Sequence, residues 1–404
     1  MHQLPVSKKL QYSLFIIAVI SLMREGASRL CLSALEERFL DRNRIKRTRV
    51  DLPRKTEDSF RIQFYGESTV YGEPTPEVGF VEQLKFIMDR LGTGKNIETY
   101  NYSRPGEASA YLSEVFSHTM DNKPDLAVVL VGHNEFLSPA LRTKAILVKL
   151  TEHSAFIRIM ERYLSYLTVA LIRKWKAEPP RQDISVAQFE KTVERYRENI
   201  RKVIESARSH GVPLILCTAP YNRFWPPEYI RGETGGGFDQ ELVLIFERIQ
   251  NHEFGKAKDQ LLALLHENPD NPTLLYLLGR VYYSQGAYAQ AAVAFSTAKE
   301  RDPFRIRVPN AINAFLREVS NTDGVYLLDL DDSLGRQSPH GILGYELLAD
   351  NVHPTPKGNY LIAQDIITAI REKGIPGIVI PANRAETTLD NFLAYTHFLE
   401  RDSA

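Results

Sequence analysis

The chain has 404 residues, 43% apolar and 25% charged, so it is long enough for one large domain or two modest ones of ordinary globular composition. Its 50 basic and 50 acidic residues cancel, which excludes the one-signed field that would favour nucleic acid or a strongly acidic partner. Two cysteines, Cys31 and Cys217, exclude a disulfide framework.

Lys8 and Lys9 precede an apolar run from Leu14 to Met23, closed by Arg24 and Glu25. The run is shorter than the roughly 17–25 residues of a spanning helix. An uncleaved signal anchor, a membrane helix within residues 1–36, is the first expectation. A signal peptide cleaved near Gly26-Ala27-Ser28 is the second, and a buried helix the third. Leu30 argues against lipidation of Cys31, because such a site takes a small residue there. Residues 37–59 read as a basic, solvated linker.

Short apolar runs then alternate with helical periodicity. Strands are expected at Arg61–Tyr65, Ile97–Tyr102, Leu126–Val131, Leu214–Thr218 and Val325–Leu328. Helices are expected at Gly79–Leu91, Glu107–Met120, Val186–His210 and Lys357–Glu372. That alternation predicts an α/β domain, a mostly parallel sheet with helices on both faces. Pro139 to Lys176 interrupts it as one or two amphipathic helices, read as packed on the core rather than lying on a membrane.

A second interruption has repeat character. In Pro272–Pro303, the residues Leu275, Leu278, Gly279, Tyr282, Ala291, Phe295, Ala298 and Pro303 fit the packing pattern of a tetratricopeptide repeat. Ala257, Leu261 and Pro269 stand 34 positions before Ala291, Phe295 and Pro303, so a diverged first copy spans Phe238 to Asn271. Ile245 there replaces the small Gly279. Two copies are too few to stand alone, so the block is expected to lean on the α/β domain. It reads either as plain helical hairpins or as a site for a peptide or protein partner. The glycines Gly235-Gly236-Gly237 read as a hinge into it. The resulting division is 60–237 and 305–374 for the α/β domain, 238–304 for the helical insertion, and 375–404 for a tail without a motif.

Four motifs carry chemistry: Gly66-Glu67-Ser68-Thr69, Gly106, Gly132-His133-Asn134-Glu135, and Asp350-Asn351-Val352-His353. The first three begin where strands end, the edge at which open parallel sheets bind ligands. Ser68 needs a base to become a nucleophile; His353 is the candidate base, and Asp350, three residues earlier, the group that orients it. The Ser68 and Gly106 amides and the Asn134 side chain are the candidate oxyanion donors. Asn222 and Arg223, after the fourth strand, are candidates for substrate contact. Arg305, Arg307 and Asn310 read as surface groups before cleft-lining ones. No metal-ligand spacing or phosphate loop is present, so no metal and no cofactor are expected.

This set resembles the SGNH, or GDSL-type, serine hydrolase superfamily. Gly66-Glu67-Ser68 is similar to its first block, with Glu67 in place of aspartate; Gly106 to the second; Gly132-His133-Asn134-Glu135 to the third, again with glutamate for aspartate; and Asp350 to His353 to the last. Residues 132–136, 220–227 and the helical block look like one bacterial branch that carries such an insertion and an N-terminal membrane segment. The resemblance implies a flavodoxin-like α/β/α fold and ester cleavage through an acyl-serine. With the anchor, it implies a bacterial envelope protein with its catalytic domain outside the cytoplasm. Three functions stay open: an esterase acting on small acyl esters, such as O-acetyl groups of an envelope glycan; an O-acyltransferase using the same serine; and an idle scaffold that binds through its repeats.

Overall fold

The computed structural model describes residues 52–137, 184–227, 237–320, 323–381 and 388–402. The N-terminal apolar run, Cys31, most of the basic linker, the amphipathic stretch 139–176 and Gly235-Gly236 lie outside them. No helix among the described residues is long and apolar enough to cross a membrane.

All five expected strands form: β1 (Ser59–Gly66), β2 (Asn96–Asn101), β3 (Leu126–Leu130), β4 (Leu214–Cys217) and β5 (Val325–Leu328). They make one parallel sheet in the order β2-β1-β3-β4-β5, the doubly wound order of flavodoxin-like folds. Its central strands β1, β3 and β4 are buried along their whole length, which suits continuous apolar runs such as Leu126-Ala127-Val128-Val129-Leu130. Register aligns the strand ends: Gly66 pairs with Leu130, Leu130 with Cys217, and Cys217 with Leu328. Whatever follows those residues emerges at one edge. The order reverses between β1 and β3, so the crevice of the topological switch lies between the segments that carry Ser68 and Asn134.

A four-residue helix, α1 (Ser68–Tyr71), follows β1 directly, and α2 (Phe80–Arg90) leads to β2. Then come α3 (Ser109–Thr119) before β3 and the long α4 (Val186–Ser209) before β4. Ser185 starts α4 with a reciprocal capping box to Gln188, which explains why the helix begins there.

Among the described residues, the segment between β4 and β5 opens with four helices in two hairpins: α5 (Gly237–Gln250), α6 (Phe254–Glu267), α7 (Pro272–Ser284) and α8 (Tyr288–Arg301). They enclose a core of their own, including Ile245, Leu261, Leu274, Val281 and Phe295. The diverged copy closes by a volume exchange. A Cβ on Gly279 would stand 2.7 Å from the Phe295 ring, so the second copy needs its glycine. Thirty-four positions earlier, Leu261 is smaller than Phe295 and Ile245 fills the space. The block leans on the α/β domain as expected, with Ile342 and Phe224 joining its core.

The helices α9 (Asn310–Val319), α10 (Leu330–Arg336) and α11 (Pro356–Glu372) complete the domain, α11 packing on α2 and α9 on α4. Beyond them α12 (Leu389–Asp402) gives the tail a packing role: Phe392 is buried edge-on against Phe86, with ring centroids 5.2 Å apart.

Candidate active site

Ser68 stands at the first position of α1, on the turn that leaves β1. Gly66 permits that turn, since a Cβ there would overlap the carbonyl oxygen of Leu130 and the side chain of Val70. The Ser68 amide opens a helix, where N–H groups have no partner within the helix itself. His353 lies on the loop before α11, closed by the amide of Ala349 donating to the His353 carbonyl at 2.8 Å. Its Nε2 is 2.7 Å from Ser68 Oγ, and its Nδ1 is 2.6 Å from Asp350 Oδ2. Asp350 Oδ1 accepts from the amides of Val352, at 2.9 Å, and His353, at 2.8 Å. Burial opposes the charge of Asp350, but the His353 ring and these two amides hold its carboxyl below the ordinary value. An ionised Asp350 assigns the ring proton to Nδ1 and leaves Nε2 to accept from the serine hydroxyl.

The loop after β3 is tied at each residue. The amides of Gly132 and His133 both donate to Glu67 Oε1, the second at 2.9 Å. His133 Nδ1 accepts from the Val308 amide at 3.1 Å. Burial first, then the charges of His353 and Lys299, push its pKa down to about 3, so its ring is neutral. Asn134 Nδ2 donates to the carbonyl of Glu107 at 3.0 Å, which holds the asparagine beside the residue after Gly106. Glu135 accepts from the amide and hydroxyl of Ser109 at 2.8 and 2.9 Å. Gly106 takes φ +77°, where a side chain would be strained, and its loop is tied to the serine turn by the Arg104 amide donating to the Gly66 carbonyl at 3.1 Å.

Ser68, His353 and Asp350 are thus joined in one hydrogen-bonded chain, with Gly106 and Asn134 on neighbouring loops of the same edge. Asn222 and Arg223 also reach that edge, but their side chains turn inward. Asn222 is fully buried and donates to the Asp350 carbonyl. Arg223 makes a two-point ion pair with Asp331 at 2.7 and 3.0 Å and lies over the Tyr221 ring. Both are occupied by the protein in this arrangement, not presented to a ligand. Arg307 is buried as well, donating to the Trp225 carbonyl and Asp302, whereas Arg305 lies over the Phe189 ring. In the sequence, Glu67 and Glu135 stand out only as departures from aspartate; each proves to have a defined set of bonds. Glu73 carries no motif, yet Oε2 of its side chain is 3.9 Å from His353 Nε2. Among the described residues no group of three or more His, Cys, Asp or Glu could hold a metal ion.

Among solved structures, the chain is similar to a lipase/acylhydrolase from Enterococcus faecalis, at 15% identity over 80% of this chain and 100% of the other, with a TM-score of 0.39. It is also similar to the acetyl xylan esterase AlAXEase, at 13% identity over 77% and 100%, TM-score 0.38. A third is the psychrotrophic esterase EstA from Pseudoalteromonas sp., at 12% identity over 78% and 97%, TM-score 0.33. No curated protein matches the chain. The tetratricopeptide-repeat family profile matches residues 247–306, so the helical block between β4 and β5 carries a tetratricopeptide repeat.

Proposed function

We propose that the chain is a serine ester hydrolase of the SGNH type. The observation that carries this reading is the unbroken chain Ser68–His353–Asp350, with contacts of 2.7 and 2.6 Å, at the switch point of a parallel sheet. Ser68 Oγ attacks the ester carbonyl carbon as its proton passes to His353 Nε2. Asp350 holds the ring and balances the imidazolium. The carbonyl electron pair moves onto oxygen, where the Ser68 and Gly106 amides and Asn134 Nδ2 receive it. Collapse of this intermediate breaks the C–O bond to the alcohol, which takes the proton from Nε2. Water then repeats the sequence on the acyl-serine and frees the acid.

The test is labelling by a fluorophosphonate together with release of p-nitrophenol from p-nitrophenyl acetate. The wild type should label and turn over; Ser68→Ala should do neither. A wild type that is folded and does not label would end this reading and leave the idle scaffold. A small acyl group, such as O-acetyl on an envelope glycan, is the substrate class we infer, from the resemblance and the N-terminal apolar run. Assaying acetyl release with and without a glycan acceptor separates hydrolysis from transfer to a sugar hydroxyl. The same run supports a membrane-tethered envelope protein, which fractionation of cells expressing the chain with and without residues 1–36 would test. The repeat supports a protein partner on the helical block.

A further inference from the structure

Two buried polar side chains, Asn222 and Lys299, have no part in the proposed catalysis, and both lie on the connections between the helical insertion and the reaction centre. Asn222, on the segment that follows β4, is fully buried. Its amide donates to the Asn351 carbonyl at 2.9 Å and its Nδ2 to the Asp350 carbonyl at 3.0 Å. One residue therefore holds two of the three peptide carbonyls between Asp350 and His353. Its Oδ1 accepts from the amide of Phe224 at 2.9 Å. Phe224 in turn packs against the helical block. Its ring packs against Tyr283 and Phe295, with centroids 4.9 and 5.2 Å away, and its carbonyl accepts from the Tyr276 hydroxyl of α7 at 2.7 Å.

A second connection reaches the other half of the site. Lys299 of α8 is buried, and its Nζ donates to the Val308 carbonyl at 2.6 Å and to Asn310 Oδ1 at 2.8 Å. The Val308 amide donates to His133, the residue between Gly132 and Asn134. The insertion is thus connected through Phe224 and Asn222 to the loop that carries the base, and through Val308 to the loop that carries the oxyanion donor. An appendage serving only to dock a partner would need neither contact.

Resting on the hydrolase reading, we propose that the helical insertion is part of the catalytic framework, with Asn222 the positioning residue for Asp350 and His353, and Lys299 the positioning residue for the Asn134 loop. Neither touches substrate. Both act by keeping reacting groups in line, where a displacement of about 1 Å costs on the order of a hundredfold in rate. Tyr276 and Phe224 transmit the rigidity of the repeat to Asn222.

The test uses the full chain, p-nitrophenyl acetate and the fluorophosphonate probe, on Asn222→Ala, Tyr276→Phe and Lys299→Met, with Val293→Ala on the exposed face of α8 as control. Each variant is first checked for a wild-type circular dichroism spectrum and a cooperative melt. Asn222→Ala and Lys299→Met should lower kcat by about tenfold or more with KM within about twofold, and slow labelling of Ser68 in step. Tyr276→Phe, which removes one hydroxyl, should lower kcat by about threefold with KM unchanged. Val293→Ala should match the wild type. Folded variants with wild-type kcat overturn the proposal while the hydrolase reading stands. If Asn222→Ala or Lys299→Met does not fold, Tyr276→Phe decides alone, and wild-type kcat in it overturns the proposal. Absence of labelling in the wild type overturns the hydrolase reading and this proposal with it.

Discussion

Glu67 should make the protein lose stability as the pH rises from about 4.5 to 8, and Glu67→Gln should abolish that loss. The carboxyl is 2% exposed, and while Oε1 accepts the amides of Gly132 and His133, Oε2 has no hydrogen-bond partner among the described residues. Burial therefore outweighs the amides of Gly132 and His133, and with the nearby Glu135 charge it raises the pKa from 4.5 to about 8. The sign follows from proton counting. Between the two midpoints the folded chain keeps a proton that the unfolded chain has lost, so stability falls with pH across that window and is level outside it. At about 1.36 kcal/mol for each pH unit above the unfolded midpoint, the loss reaches about 3 kcal/mol at pH 7 and about 5 kcal/mol above pH 8. Gln keeps the acceptor and cannot ionise. Urea unfolding at pH 5, 6, 7 and 8 should therefore show the variant gaining on the wild type with each step, by several kcal/mol in total, after correction for the other titrating groups they share. Parallel curves for the two proteins would refute the reasoning and give Glu67 an ordinary pKa. An ionised Glu67 also places a negative charge one residue from Ser68, so wild-type kcat/KM should decline above about pH 8 where that of Glu67→Gln does not.

Three further outcomes follow from the same geometry. Asn134→Ala should lower kcat by roughly 100- to 1000-fold, the loss of one oxyanion donor, with KM little changed in steady-state assays. Gly66→Ala should destabilise by about 1–3 kcal/mol in urea unfolding, because its Cβ meets the Leu130 carbonyl, which a central strand cannot move. Gly279→Ile should cost about 1–3 kcal/mol alone, and adding Phe295→Leu should recover much of it by reproducing the Ile245–Leu261 pair; additive losses would reject the exchange.

The strands and the four motifs are legible in the sequence because each is a local signal: a buried run such as Leu214 to Cys217, or a glycine where the backbone must turn. The helical block is legible because its period repeats. Asn222 and Arg223 show where such reasoning stops. Their place after β4 is readable, but whether a side chain faces a ligand or the protein depends on Asp350 and Asp331, more than a hundred residues away. Glu67 is similar: a carboxylate beside a nucleophile does not reveal that its partners are amides 65 and 66 positions on. The tail lacked a motif because α12 is held by single aromatic contacts such as Phe392 with Phe86, which leave no pattern.

The two halves of the site are held unequally, and that has a measurable consequence. The oxyanion loop is fastened through Glu67, His133, Asn134 and Glu135 to four separate places, most of them buried. The base loop rests on Asn222, on one short pairing of Leu348 with Pro354, and on Asp350, whose side chain is 37% exposed. Protection from exchange follows the local cost of opening, which rises with burial and with the number of contacts that break together. The amides of Val352 and His353, bonded to Asp350 Oδ1, should therefore exchange with solvent deuterium faster than those of Gly132 and His133, bonded to Glu67. Tyr276→Phe should widen the gap by speeding the first pair alone, since the strap it loosens leads to Asn222 and not to Glu67. Equal protection of the two pairs, or a uniform rise in both, would mean that the loops open together and that the base is not the weaker half.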